Sequence, residues 1–180
     1  LADFSHRFGE VRYKPTNAII IPAVSSERRE YIPIGFLEKD TVISNSAFAL
    51  YDAQLWLFGI LTSKIHNAWV RAVGGSLETR IRYSATLCYN TFPFPTLPEA
   101  KKKEIEKLVE EVLLTRQHHT EKTLAQMYDP DIMPQDLREA HHALDLAVDS
   151  CYPGAPFNND DERLEVLFKM YEKMTKNKML

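Results

Sequence analysis

Apolar positions along the chain change period twice, and those changes divide it into parts. Over the first fifty residues they fall in short runs bounded by turn-forming residues. From Phe4 to Ile21 the pattern predicts short strands, and Asn17-Ala-Ile-Ile-Ile-Pro22 reads as a buried strand stopped by proline. The polar turn Ser25–Glu30 leads to a second strand, Tyr31–Leu37, and Thr41–Leu50 is a further one. From Asp52 to Ala72 the period becomes helical, with Leu55, Leu57, Phe58, Leu61, Ile65, Trp69 and Val70 on a broad stripe and Asp52 near the positive end of the first turn. Gly74-Gly75 ends that helix in left-handed geometry. Leu77–Tyr83 is then extended, and Thr86–Asn90 extends the same sheet.

Pro93, Pro95 and Pro98 forbid regular structure, so this segment is a semi-rigid linker or a strap packed by Phe92 and Phe94, and the domain boundary belongs there. Beyond it the helical period returns three times. One helix opens at Pro98 and buries Ile105, Leu108, Val109, Val112 and Leu113; its Lys101–Lys103 cluster leaves room for an anion such as a phosphate or for an acidic neighbour, with a solvated face as the alternative. A second opens at Pro134 and buries Leu137, Leu144, Ala147, Val148 and Cys151. A third follows Asn158–Glu162 and presents Leu164, Leu167, Phe168, Tyr171 and Met174. The expected fold is α+β: a mixed strand-and-helix domain over 1–98 followed by an α-helical bundle over 99–180.

With 180 residues, 44% of them hydrophobic, the chain can bury a core. Its formal net charge of −3 excludes a chain that is basic throughout, so nucleic-acid binding needs a local patch. Residues 1–98 carry 10 Lys/Arg against 8 Asp/Glu, and residues 99–180 carry 12 against 17, so the first part is the better candidate for touching DNA. Cys88 and Cys151 match no metal or disulfide framework and fit a reducing cytoplasm as small buried side chains. The most apolar run, Leu55–Leu61, is too short to cross a bilayer, so no membrane partner is expected. A start at Leu1 without methionine suggests a piece of something longer.

The charge-bearing stretch is Gly74–Ser84. If Leu77–Tyr83 is one strand, its period of two sends Glu78, Arg80 and Arg82 to one face and Leu77, Ile81 and Tyr83 to the other. Arg donates two hydrogen bonds to guanine O6 and N7, and a carboxylate accepts from cytosine N4, so Glu78 and Arg80 suit the two halves of one C·G pair. The alternative is a solvated face whose Glu and Arg neutralise each other. Arg28, Arg29, Lys64, Arg71 and Arg82 are candidates for DNA backbone contacts, with hairpin-tip charge or helix-terminus complementation as the bland counterparts.

Catalytic constellations are lacking. His66 has no second ligand at metal spacing and reads as a hydrogen-bonded structural histidine. Adjacent imidazoles, His118-His119 and His141-His142, diverge by roughly 100° on a helix. Asp145 and Asp149 share a face and read as solvated or salt-bridged, and Pro130-Asp131 is not followed by the remainder of a nuclease motif. No glycine-rich strand-to-helix turn for a cofactor occurs, and Asn90-Thr-Phe-Pro93 lacks the consecutive prolines of amino-methylating enzymes.

The runs Tyr31-Ile-Pro-Ile-Gly-Phe36, Tyr51–Arg71, Arg82-Tyr-Ser84 and Tyr89-Asn-Thr-Phe-Pro-Phe-Pro95 resemble, in that order, the C-terminal part of the MmeI-like adenine-N6 DNA methyltransferases of restriction-modification type. The resemblance covers nearly the whole chain. It implies a partial DNA target-recognition domain over 1–98 and the family's helical C-terminal segment over 99–180. Catalysis and S-adenosylmethionine then belong to an N-terminal methyltransferase domain outside this chain, which itself carries no catalytic, cofactor or metal residues. The expected partners are double-stranded DNA and that methyltransferase domain. The base-reading pair of the family falls on Glu78 and Arg80, and Asn45, in Ile43-Ser-Asn-Ser46, resembles a second reading position. From a different class, the alternative is a protein-interaction or scaffold module whose acidic helices dock another subunit.

Overall fold

The computed structural model describes residues 13–39 and 41–176; the part of the Phe4–Ile21 expectation before residue 13 lies outside them. Three β-branched isoleucines in succession make Ala18–Pro22 (β1) a central strand, flanked on either side by the antiparallel strands Gly35–Leu37 (β3) and Ala47–Tyr51 (β4). Ile19 faces Phe36 on one side and Leu50 on the other. Both outer strands are shorter than expected. Pro33 has no N–H for a ladder, so Tyr31–Ile34 is irregular, yet Tyr31, Ile32 and Ile34 are buried in the core.

At Ala23 the chain bends and changes sheets. Val24–Ser25 (β2) pairs antiparallel with Arg80–Arg82 (β6), which pairs in turn with Gly75–Leu77 (β5). The single strand expected over Leu77–Tyr83 is therefore a hairpin. Leu77 lies opposite Arg80, leaving Glu78-Thr79 as a two-residue turn, and Glu78 takes φ 58°. That left-handed value at the first central position is where such turns ordinarily place glycine. Thr86–Asn90 does not extend the sheet either: Ala85–Tyr89 forms one π-helical turn, started by the Ser84 hydroxyl accepting from the Leu87 N–H.

The helix expected over 52–72 is two helices, Leu55–Thr62 (α1) and Lys64–Val73 (α2), broken at Ser63 (ψ 163°). The Ser63 hydroxyl donates to the Ile60 carbonyl at 2.6 Å and draws off the end of α1. Asp52 stands outside the helix at φ 58°, so the first turn of α1 contains no acid. Gly74 is extended (φ −69°, ψ 158°) rather than left-handed. Glycine suits the position because an added Cβ would sit 2.4 Å from the Val70 carbonyl oxygen.

Glu99–Gln117 (α3), Gln135–Asp149 (α5) and Asp160–Lys176 (α6) match the three expected helices, and a single capped turn, Leu124–Met127 (α4), adds to them. The lysines opening α3 find their acids on the same helix, Lys101 with Glu104 and Lys102 with Glu99. Helix α3 packs against α1 and α5, and α2 packs against α6. At Gly59 the approach is closest: a Cβ there would meet Ile105 Cγ2 at 2.5 Å and Val109 Cγ2 at 2.9 Å. Ile19 and Tyr31 from the first half thus share one core with Ile105, Leu137 and Leu167 from the second. The observed fold is α+β, with two small antiparallel sheets and a helical C-terminal part, as expected. No helix among the described residues is long and apolar enough to cross a membrane.

Candidate nucleic-acid interface

The hairpin β5–β6 stands on a buried base. Along β6 the burial alternates, with Arg80 and Arg82 outward, Ile81 8% exposed, and Tyr83 just beyond it 3% exposed. The Tyr83 hydroxyl shares a 3.1 Å hydrogen bond with His66 Nε2, and His66 is completely buried on α2. Burial without a counter-charge lowers the His66 pKa to about 3, so the imidazole is neutral at physiological pH. This is the structural histidine that the sequence indicated. The Tyr83 ring also lies 5.9 Å from Phe48 of β4, tying the hairpin to the first sheet.

At the tip, Arg80 Nη2 donates to Glu78 Oε2 at 2.7 Å, with side-chain exposures of 48% and 75%. Among the described residues neither side chain makes another hydrogen bond, so four of Arg80's five donors and the second Glu78 oxygen are unengaged. Such an exposed pair contributes under about 1 kcal/mol and is readily exchanged for a ligand. The turn has a second effect. Because Leu77 is the direct partner of Arg80, the two side chains leave the ribbon on the same face. The single-strand expectation had put Leu77 opposite Arg80; the tight turn overturns it.

Asn45 is exposed in the turn before β4. Its loop is joined to the hairpin through one segment. The Ala23 N–H donates to the Ser46 carbonyl, the Tyr83 N–H donates to the Ala23 carbonyl, and Val24 and Ser25 pair with Arg82 and Ile81. Arg82 is exposed, with no hydrogen bond or ion pair from its guanidinium among the described residues.

The other four basic candidates already have partners within the chain. Arg28 grips both oxygens of Asp131 at 2.9 and 2.7 Å, and Arg71 donates to the carbonyls of Glu27 and Arg29. Arg29 reaches the Ser25 hydroxyl and the Ala125 carbonyl. Lys64 pairs with Glu30 at 3.0 Å. They border a cleft of about 630 Å³ that Glu30, Asp145 and Asp149 also line, so its charges largely offset one another.

Behind that cleft lies a polar network that sequence reasoning missed. Asp145, 2% exposed, accepts from the Tyr31 hydroxyl at 2.7 Å and from the Lys64 backbone N–H at 2.8 Å. Desolvation raises its pKa to about 7 despite those donors. Tyr31 stacks on His141, whose Nε2 meets the Tyr128 hydroxyl, and Arg116 reaches both that hydroxyl and the Ile34 carbonyl. Asp149 is buried too, held by Arg163 at 2.6 Å. The salt-bridged reading of Asp149 stands, but neither aspartate is on a solvated face. Tyr31 and Asp145 are 114 residues apart, and no local pattern announces their meeting. Cys88 is buried and Cys151 half-buried, both as free thiols.

The glycine pair follows a helix and precedes a strand, the reverse of the strand–glycine–helix order that cradles a nucleotide-type cofactor, so these residues do not fit an S-adenosylmethionine site. Residues 1–96 match the family model "MmeI, target recognition domain" and residues 97–179 match "MmeI, C-terminal domain". The chain is 46% identical over 169 residues to the DNA methyltransferase A of Bacillus subtilis (strain 168), covering 94% of this chain and 19% of that protein. It superposes with a TM-score of 0.92, at 41% identity, on the type IIL restriction-modification enzyme MmeI in complex with DNA, covering 97% of this chain and 23% of that one. The chain thus spans about a fifth of the length of the relatives it matches.

Proposed function

The chain belongs to the MmeI family, and from that premise we propose that it is the sequence-specific DNA recognition module of a larger adenine-N6 DNA methyltransferase of restriction-modification type. The observation that carries this reading is the outward hairpin tip, where Glu78 and Arg80 sit paired on a base held by Ile81 and Tyr83. In the major groove Arg80 gives up Glu78 and forks onto guanine O6 and N7, while Glu78 accepts from the N4 amino group of the paired cytosine. The free-state ion pair keeps the two side chains together until the base pair replaces it.

Asn45 addresses a second base from the loop joined to the hairpin through Ala23. Arg82 is the foremost backbone contact, because a phosphate displaces no partner among the described residues from it. Arg28, Arg29, Lys64 and Arg71 form a second tier that exchanges internal partners for phosphates. Recognition occupies residues 1–98 and the helical segment 99–180 supports it. S-adenosylmethionine, the methyl-transfer chemistry and a cytoplasmic location belong to the parent protein, whose methyltransferase part is this module's covalent partner.

Exchanging the charges tests the assignment. In the full-length parent, Glu78→Lys with Arg80→Asp should move the preferred base pair at one position from C·G to G·C, read by sequencing DNA methylated by each protein. An unchanged site refutes the pair as readers.

A further inference from the structure

We propose that Leu77 is a third reading residue of the hairpin, making apolar contact with the 5-methyl group of a pyrimidine in the base pair next to the one addressed by Glu78 and Arg80. The inference rests on the DNA-reading assignment above and adds to it a residue and a chemistry. Its first support is the register. Leu77 and Arg80 are direct cross-strand partners, as are Ser76 and Ile81 on the other face, and Ile81 is the buried one. Leu77 therefore shares the outward face with Arg80. It is 44% exposed, although leucine at a solvated tip gains nothing in the free protein.

The second support is spacing. Directly opposed residues of an antiparallel pair have Cβ atoms about 4.5–5.5 Å apart. Successive base pairs rise by about 3.4 Å. With the width of the ribbon lying along the groove, a side chain rooted beside Arg80 at that separation reaches a neighbouring base pair. The third support is chemistry. The floor of the major groove offers hydrogen-bonding atoms almost everywhere, and its apolar feature is the methyl group on C5 of thymine, or of a methylated cytosine. Gly75, opposite Arg82, adds no side chain to this face, so Leu77 is its apolar member beside Arg80 and Arg82.

The test uses the full-length parent and synthetic duplexes carrying its methylation site. Each thymine is replaced in turn by uracil, and each cytosine by 5-methylcytosine, so that a single methyl group is removed or added. For the wild type, kcat/KM should change about fourfold at the pair adjacent to the Glu78/Arg80 position, the effect of one buried methyl-sized group at about 0.8 kcal/mol. Leu77→Ala should abolish that discrimination, and Leu77→Met should retain it. A wild type indifferent to every C5 methyl group, or a Leu77→Ala enzyme that keeps the wild-type ratio, overturns the proposal. If the Glu78/Arg80 exchange shifts the site while Leu77→Ala leaves the methyl ratio intact, Leu77 alone fails. If neither does anything, the hairpin reading fails with it.

Discussion

Replacing Asp145 by asparagine changes how stability depends on pH. An aspartate in an unfolded chain titrates near 3.9. In the folded protein Asp145 is pushed up to about 7, chiefly by desolvation. Between those values the folded state holds a proton that the unfolded state has lost, so this carboxyl's contribution to stability falls as pH rises and levels off above about pH 7. At 1.36 kcal/mol per pH unit, the loss between pH 5 and pH 8 is roughly 2–3 kcal/mol. The buried histidines His66 and His141, whose pKa values burial lowers, push the other way below about pH 6.5. A difference between two proteins cancels them. The asparagine side chain also offers only one acceptor to the Tyr31 hydroxyl and the Lys64 N–H, a loss of about 1–3 kcal/mol for a buried donor left unpaired. Denaturant unfolding across this range should therefore show the wild type losing roughly 2–3 kcal/mol relative to Asp145→Asn between pH 5 and pH 8. Parallel curves would mean that Asp145 is ionised throughout and that its burial has been misjudged.

Three further outcomes follow from other contacts. Gly59→Ala, which in an exposed helix would stabilise by about 1 kcal/mol, should instead lower the melting temperature. Its Cβ would press on Ile105 and Val109, an overpacking that costs about 1–3 kcal/mol. Arg163→Met should destabilise by about 3–5 kcal/mol near neutral pH, because it strands the Asp149 carboxylate at 5% exposure; denaturation at pH 4 should show a smaller loss as that carboxyl takes up a proton. In DNA binding by the full-length parent, Arg82→Ala should lower the slope of log K against log salt by about 0.9, the signature of one lost phosphate contact. Arg28→Ala should lower it by less, since Arg28 must first leave Asp131; equal slopes in the two variants would contradict the ranking.

Helices α3, α5 and α6 were legible in their starts and most of their apolar stripes, because both signals are local; Cys151, expected inside the second, lies beyond its end and is half-buried, and Phe168 on the third is exposed. Pro98 and Pro134 open two of them, and Asp160–Glu162 opens the third. The central strand at Ala18–Pro22 was legible for the same reason. The carboxylate and guanidinium two residues apart, Glu78 and Arg80, were visible in the sequence beside a chain-long family resemblance.

The shape of the site was decided elsewhere. Glu78-Thr79 contains none of the residues that mark a tight turn, so nothing local says that the strand reverses there. The reversal comes from pairing with Val24–Ser25, more than fifty residues upstream, which holds β6 in register while β5 folds back on it. That one turn moves Leu77 to Arg80's face and takes Glu78 off the strand. Likewise, two aspartates on one helical face spell a salt-bridged surface until Tyr31 and the start of α2 cover Asp145. Sequence determined the long C-terminal helices, the central strand and the charges they carry, since these follow from neighbours along the chain. Which face of the hairpin is free, and which carboxyl is dry, depended on segments that meet only in the folded protein.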